Sequence, residues 1–188
     1  MNNIWKYLLG TQHYTLTYKG NTKPILIGYS DSDWGGDITR RSTTGYLFTF
    51  NGSIISWASK LQKTIALSSC EAEYMALKET IKEYTWLKNL LDSITTITTS
   101  SSTNIKDYYT NSILYTDSQS AIQLAKNPEH HARTKHIDIQ YHYVRNNIQN
   151  DYINLKYIPT TEQLADGLTK PLDYTKFSTY TKGIGLTT

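Results

Sequence analysis

The chain has 188 residues, of which 38% are apolar and 19% charged, and a net charge of +3. That is enough for one domain with its own core, too polar throughout for a membrane span of about 18 apolar residues, and too apolar for a disordered chain. A pI near 8.8 is compatible with a polyanionic partner without requiring one, and the single cysteine, Cys70, excludes an internal disulfide and fits a reducing compartment.

In chain order, "NNIWKYLLG" carries a short helical pattern and "HYTLTYKG" alternates up to a glycine. The apolar patch at the start is short and no small-residue cleavage site follows it, so no signal peptide is expected. Lys23-Pro24 breaks the chain, which places the start of the main domain at residue 25, with 1–24 as a preceding segment. "ILIGYSDSDW" reads as an apolar strand running into small acidic residues. "GYLFTFNGSIISWAS" reads as two strands joined by Asn51-Gly52, a strong hairpin signal, with Trp34 and Trp57 expected in the core.

A long helix is predicted from about Glu71 to Ile94. Eight of the nine residues at 95–103 are Ser or Thr, so 95–111 is expected to be a flexible surface loop. "SILYTD" is a strand, followed by a short helix, "SQSAIQLAKN", stopped by Pro128. The basic run "HHARTKH" opens another helix in which Ile137, Tyr141, Val144 and Ile148 form one stripe. "YINLKYI" is a strand closed by Pro159, and Thr160 with Gln163 reads as a capping box for a last helix, "TEQLADGLTK". Residues 173–188 remain as a C-terminal tail. The order predicts an α/β domain, a mixed sheet with helices on both faces.

The stretch "SSCEAEYMAL" holds two glutamates at a helix start. At about 100° per residue, Glu73 falls within the apolar arc of Ala72, Ala76, Leu77, Leu87, Leu90, Leu91 and Ile94, whereas Glu71 falls beside Lys78 and Asn89. Glu71 is therefore expected to face solvent near the positive end of the helix dipole, and Glu73 to point at the sheet. Asp31 and Asp117 stand at the carboxyl ends of apolar strands, where sheets with crossover helices place ligand sites. Asp33 is a neighbouring alternative to Asp31, which is favoured because it ends the apolar run. Asp166 is flanked by Leu164, Ala165 and Leu168.

Carboxylates gathered at one sheet edge repel, by about 4 kcal/mol for a pair ~4 Å apart at an effective dielectric of about 20, so a cation is expected among them. Hard oxygen ligands select Mg²⁺, with Mn²⁺ as a substitute. Two such ions about 4 Å apart suit hydrolysis of a phosphodiester.

The blocks "YSDSDWGGD", "RRSTTGY", "SWASKLQKTIALSSCEAEYMAL", "LYTDSQSAIQLAKNP", "RTKHIDIQYHYVR" and "LKYIPTTEQLADGLTKPL", in that order over about residues 25–172, resemble the ribonuclease H domain of copia-type LTR retrotransposon Pol polyproteins. Residues 1–24 resemble the tail of the connection that joins reverse transcriptase to that domain. The resemblance implies a ribonuclease H-like fold with a five-stranded mixed sheet. It also implies endonucleolytic cleavage of the RNA strand of RNA/DNA hybrids during reverse transcription, with 3′-hydroxyl and 5′-phosphate products. The implied partners are the hybrid and the reverse transcriptase domain of the same polyprotein, with no membrane, in the cytoplasm within virus-like particles.

Carried onto this sequence, the catalytic and metal-binding acids are Asp31, Glu73, Asp117 and Asp166, with two Mg²⁺ ions. The loop before the last acid, "IPTTEQLAD", lacks the histidine that many ribonucleases H have there. A second reading follows from that lack, a catalytically weak domain acting as a structural or nucleic-acid-binding module of a reverse transcriptase. A DNA endonuclease of the same fold is a third. Substrate contacts are expected from Ser32, Ser68, Ser69, Ser118 and Gln119, with helix capping as the alternative role of the serines, and from Arg133 and Lys135 as phosphate contacts. A zinc site at His130, His131 and His136 lacks a ligand set with finger spacing.

Overall fold

The computed structural model describes residues 2–18, 20, 25–98, 112–127, 142–148 and 153–188. Five strands form the central sheet: β2 (Ile27–Asp33), β3 (Thr43–Phe50), β4 (Ser53–Leu61), β5 (Ile113–Thr116) and β6 (Asn154–Tyr157). Their spatial order is β4-β3-β2-β5-β6. The β2/β3 and β3/β4 pairs are antiparallel, and β2/β5 and β5/β6 are parallel. Asn51 and Gly52 turn the β3/β4 hairpin with φ of 52° and 80°, the left-handed pair that a two-residue turn requires and that this dipeptide supplies at low cost. β3 is buried along almost its whole length, as expected for a strand covered on both faces.

Helix α2 (Ser69–Thr98) covers one face of the sheet. Ser68 starts it: its hydroxyl accepts from the Glu71 N–H at 3.1 Å, and the Glu71 carboxylate accepts from the Leu67 N–H at 2.8 Å, so each residue satisfies a donor that the helix leaves open. Tyr74, Leu77, Ile81, Tyr84 and Leu87 face Leu26, Phe48, Leu114 and Leu155 in the larger core, and Ala72 is fully buried. Leu90 and Ile94, expected in the buried arc, are 41% and 49% exposed. The helix runs to Thr98, into the Ser/Thr-rich stretch expected to be loop; residues 99–111 lie outside the described part.

Helix α3 (Gln119–Lys126) and helical residues 142–148 (α4) pack beside α2, with Val144 fully buried and the Tyr143 and Thr85 hydroxyls 3.4 Å apart. Ile137 and Tyr141 lie outside the described residues. The opposite face of the sheet carries α5 (Asp166–Thr169) and α6 (Tyr174–Gly183). Here Leu47, Ile54 and Ile184 form a second core, joined by Tyr29, Leu164, Leu168, Tyr180 and Leu186. β7 (Leu186–Thr187) pairs antiparallel with β1 (Thr15–Leu16), which follows helix α1 (Asn2–Thr11).

Two sequence expectations are corrected here. Trp34 and Trp57 are 56% and 62% exposed rather than core; apolar character permits burial without compelling it. Thr160 and Gln163 do not cap a long helix. Thr160 opens a 3₁₀ turn (Thr160–Glu162) and Gln163 follows it, and their side chains are used over long range, as described next.

Candidate active site

Asp31 and Asp117 reach the carboxyl end of the sheet because β2 and β5 run parallel and in register, Ser30 opposite Thr116. Glu73 comes from the first turns of α2. One carboxylate oxygen from each of Asp31, Glu73 and Asp117 lies within 4.8 Å of the others. Asp33 is excluded from this group: its carboxylate lies over the turn at Gly36, where a Cβ would fall 1.8 Å from Asp33 Oδ2.

The carboxylates are held by neighbours. The Ser32 N–H and hydroxyl both donate to Glu73 Oε1, at 3.2 and 2.9 Å. The Thr169 hydroxyl donates to Asp31 Oδ2, and the Thr160 hydroxyl to Asp117 Oδ2 at 2.7 Å. Gln163 is buried, and its Nε2 donates to the Ser30 carbonyl at 3.0 Å, stitching the segment before Asp166 to β2. Gly45 pairs with Asp31 in the β2/β3 ladder, and α5 lies so close that a Cβ at Gly45 would meet Thr169 Cγ2 at 2.5 Å and the Ala165 carbonyl at 3.0 Å.

Electrostatically the site is under strain. Burial, with smaller contributions from Asp166 and Asp117, pushes the Asp31 carboxyl up to about 6 despite the Thr169 hydrogen bond. Burial and then the Asp31 charge push Glu73 up to about 8, against the two Ser32 donors. Asp166, only 3% exposed, is not in the group of three; its Oδ1 lies 2.9 Å from Lys170 Nζ. Burial lowers the tendency of Lys170 to hold its proton, but Asp166, Asp31 and Asp117 more than offset this and hold the ammonium above its usual range.

Glu73 Oε2 and Asp166 Oδ2 are buried without a hydrogen-bond partner among the described residues. Such orphaned anionic oxygens are costly. Together with the convergence of three hard donors, they fit a divalent cation with incomplete protein coordination, as Mg²⁺ prefers.

Of the residues expected at the substrate, Ser32 commits its donors to Glu73. Ser68 caps α2, and Ser69 is exposed beside it. Ser118 caps α3 by accepting from the Ala121 N–H at 3.2 Å, and Gln119 is exposed. Arg133, Lys135 and the histidines at 130, 131 and 136 lie outside the described residues. The reading of the sequence missed Thr160, Gln163, Thr169 and Lys170. Lys170 alone had a local signal, its position one helical turn after Asp166.

An antiparallel trio continued by two parallel strands, with a long helix on one face and acids at the shared strand ends, defines a ribonuclease H-like domain. No family model matches the sequence. The Pol polyprotein of transposon TNT 1-94 from Nicotiana tabacum is 46% identical over 184 residues, 97% of this chain and 13% of its own length. That of transposon RE1 from Arabidopsis thaliana is 39% identical over 188 residues, 100% of this chain and 12% of its own length. Among solved structures, the N-terminal RNase H domain of a Mycobacterium tuberculosis protein, fused to maltose binding protein, aligns with TM-score 0.49 and 13% identity, covering 78% of this chain and 91% of that one. The chain's homologues over its whole length are Pol polyproteins of copia-type retrotransposons, and it spans roughly an eighth of the length of the two above.

Proposed function

We propose that this domain is an endoribonuclease that cleaves the RNA strand of RNA/DNA hybrids, using two Mg²⁺ ions held by Asp31, Glu73, Asp117 and Asp166, in partnership with the reverse transcriptase of the same polyprotein. The observation that carries the reading is the convergence of three carboxylate oxygens within 4.8 Å beside an unpartnered Glu73 Oε2. The chemistry that such ions supply is activation of a water and stabilisation of the leaving 3′-oxygen. The chain's own part is to hold the acids ready: Ser32 fixes Glu73, Thr169 fixes Asp31 and Thr160 fixes Asp117. The proposed setting is reverse transcription in cytoplasmic virus-like particles.

Parallel digestion of an RNA/DNA hybrid, duplex DNA and duplex RNA in Mg²⁺ tests this, with Asp31→Asn and Glu73→Gln as controls. Only the hybrid should be cut, and each variant should lose at least about a hundredfold in rate, the scale of one electrostatic catalytic group. Near-normal cleavage by either variant sinks the assignment. Selective cleavage of duplex DNA points instead to another nuclease of this fold.

A further inference from the structure

On the flank of α2 away from the carboxylates, a cleft of about 430 Å³ lies between the helix and β4, with Lys60, Gln62, Lys63, Lys78, Glu79 and Lys82 on its walls. At about 100° per residue, Lys78 and Lys82 stand roughly 140° and 180° round the helix from Glu73, so the cleft is separate from the candidate catalytic site. Four lysines against one glutamate, 4 − 1, give the walls a charge of +3, equal to that of the whole chain. The rest of the chain is thus neutral in sum.

Glu79 is shared by Lys78 at 2.9 Å and Lys82 at 3.1 Å; burial would raise its carboxyl, yet the two ammonium groups hold it below its ordinary value. Glu83, close behind, accepts from the Ser56 and Tyr46 hydroxyls. Lys60 sits 5.9 Å from the centre of the Tyr46 ring, and among the described residues neither it nor Lys63 forms an ion pair. Gln62 is 5% exposed, and its Nε2 donates to Thr44 Oγ1 at 3.1 Å and to the Ala72 carbonyl at 3.0 Å, which fixes the amide. Its Oε1 is buried without a partner among the described residues.

The cleft and the carboxylate cluster are two strands apart on the sheet. Ser32, which holds Glu73, pairs with Thr44, and Thr44 pairs with Lys60. Two strand spacings put the Lys60 backbone roughly 10 Å from Ser32.

We infer that this cleft binds the sugar-phosphate backbone of a nucleic-acid strand whose neighbouring segment lies at the carboxylates. The inference rests on the proposed nuclease reading for what occupies the neighbouring site. Lysines that track a backbone supply affinity irrespective of sequence, and each phosphate contact adds to the salt dependence.

The test is fluorescence anisotropy of a labelled RNA/DNA hybrid in EDTA across a salt series, with thermal unfolding as the check on folding. Lys60→Gln/Lys63→Gln should weaken binding by about tenfold and flatten the salt slope by about 1 to 2. Glu79→Gln should tighten binding, which a damaged fold does not do. Unchanged affinity and slope in the double lysine variant, or no tightening with Glu79→Gln, overturns the inference. So does a lysine-dependent gain for a labelled polyglutamate peptide with no change for the hybrid, which identifies a protein partner. Hybrid cleavage in Mg²⁺ separates the two readings. Cleavage by a chain whose lysine variants bind like wild type sinks the cleft alone; lysine-dependent binding by a chain that cuts nothing sinks the nuclease alone.

Discussion

Glu73 and Asp31 make the metal-free protein sensitive to pH in the direction opposite to ordinary acid denaturation. Burial raises Glu73 from 4.5 to about 8 and Asp31 from 3.8 to about 6. Between the unfolded and folded values the native state binds more protons than the unfolded one, so stability falls as pH rises through that window. In EDTA the unfolding midpoint should therefore be higher near pH 6 than near pH 8.5, and saturating Mg²⁺ should erase most of the difference by favouring the ionised site. A midpoint that rises with pH in EDTA contradicts the burial of these acids. Lys170 allows a second test at this scale. Its ammonium compensates Asp166, whose other oxygen has no partner among the described residues. Removing it in Lys170→Met leaves a buried charge and should cost about 3 kcal/mol in EDTA, while the tethered competitor for a divalent ion disappears. The Mg²⁺ concentration that half-stabilises the variant should then be lower than in wild type, and Lys170→Arg should restore both. A higher half-saturating Mg²⁺ concentration means that Lys170 helps the ion rather than competes with it.

At the scale of elements, α5 is placed by what Gly45 lacks. The helix holds Asp166 and Thr169 against Asp31 only because no side chain stands at Gly45. Gly45→Ala should cost about 1–3 kcal/mol through overpacking. Hybrid cleavage should fall by on the order of a hundredfold, since shifts near 1 Å at a reacting centre are expensive. Rate and stability measured on the same variant check this, and an unaltered rate removes α5 from the site. This contact also shows where reading from sequence stops. The β3/β4 hairpin was legible because Asn51-Gly52 encodes its own backbone angles. The inward direction of Glu73 was legible because a helix repeats its side-chain directions. Asp31 and Asp117 were legible as acids ending apolar runs. Thr160 and Gln163 were misread as a cap because cap chemistry and long-range hydrogen bonding use the same residue types, and the choice is made by β2 and Asp117, far away in sequence.

For the molecule as a whole, the C-terminal residues serve the acids by filling the sheet's second face. Ile184 is 5% exposed and packs with Leu47 and Ile54, while its carbonyl accepts from the Ile54 N–H at 3.0 Å. Tyr180 and Leu168 belong to the same cluster, so the core that α6 closes is continuous with α5 and hence with Thr169 and Asp31. Tyr29, two residues before Asp31 on the same face of β2, joins it as well. Truncating Ile184 removes buried methyl groups without touching a carboxylate. Ile184→Ala should cost about 2–5 kcal/mol, and at about 2–4 °C per kcal/mol for a chain of this size the midpoint should drop by roughly 4–20 °C. If this second core orders the site, the Mg²⁺-dependent rise in midpoint should also shrink, because part of the binding energy is then spent ordering α5. An Ile184→Ala protein with a lower midpoint but a full Mg²⁺ shift confines the C-terminal segment to stability. A reduced shift makes β7 and α6 part of what assembles the carboxylates, and the same comparison on Leu186→Ala locates how far along the chain that influence extends.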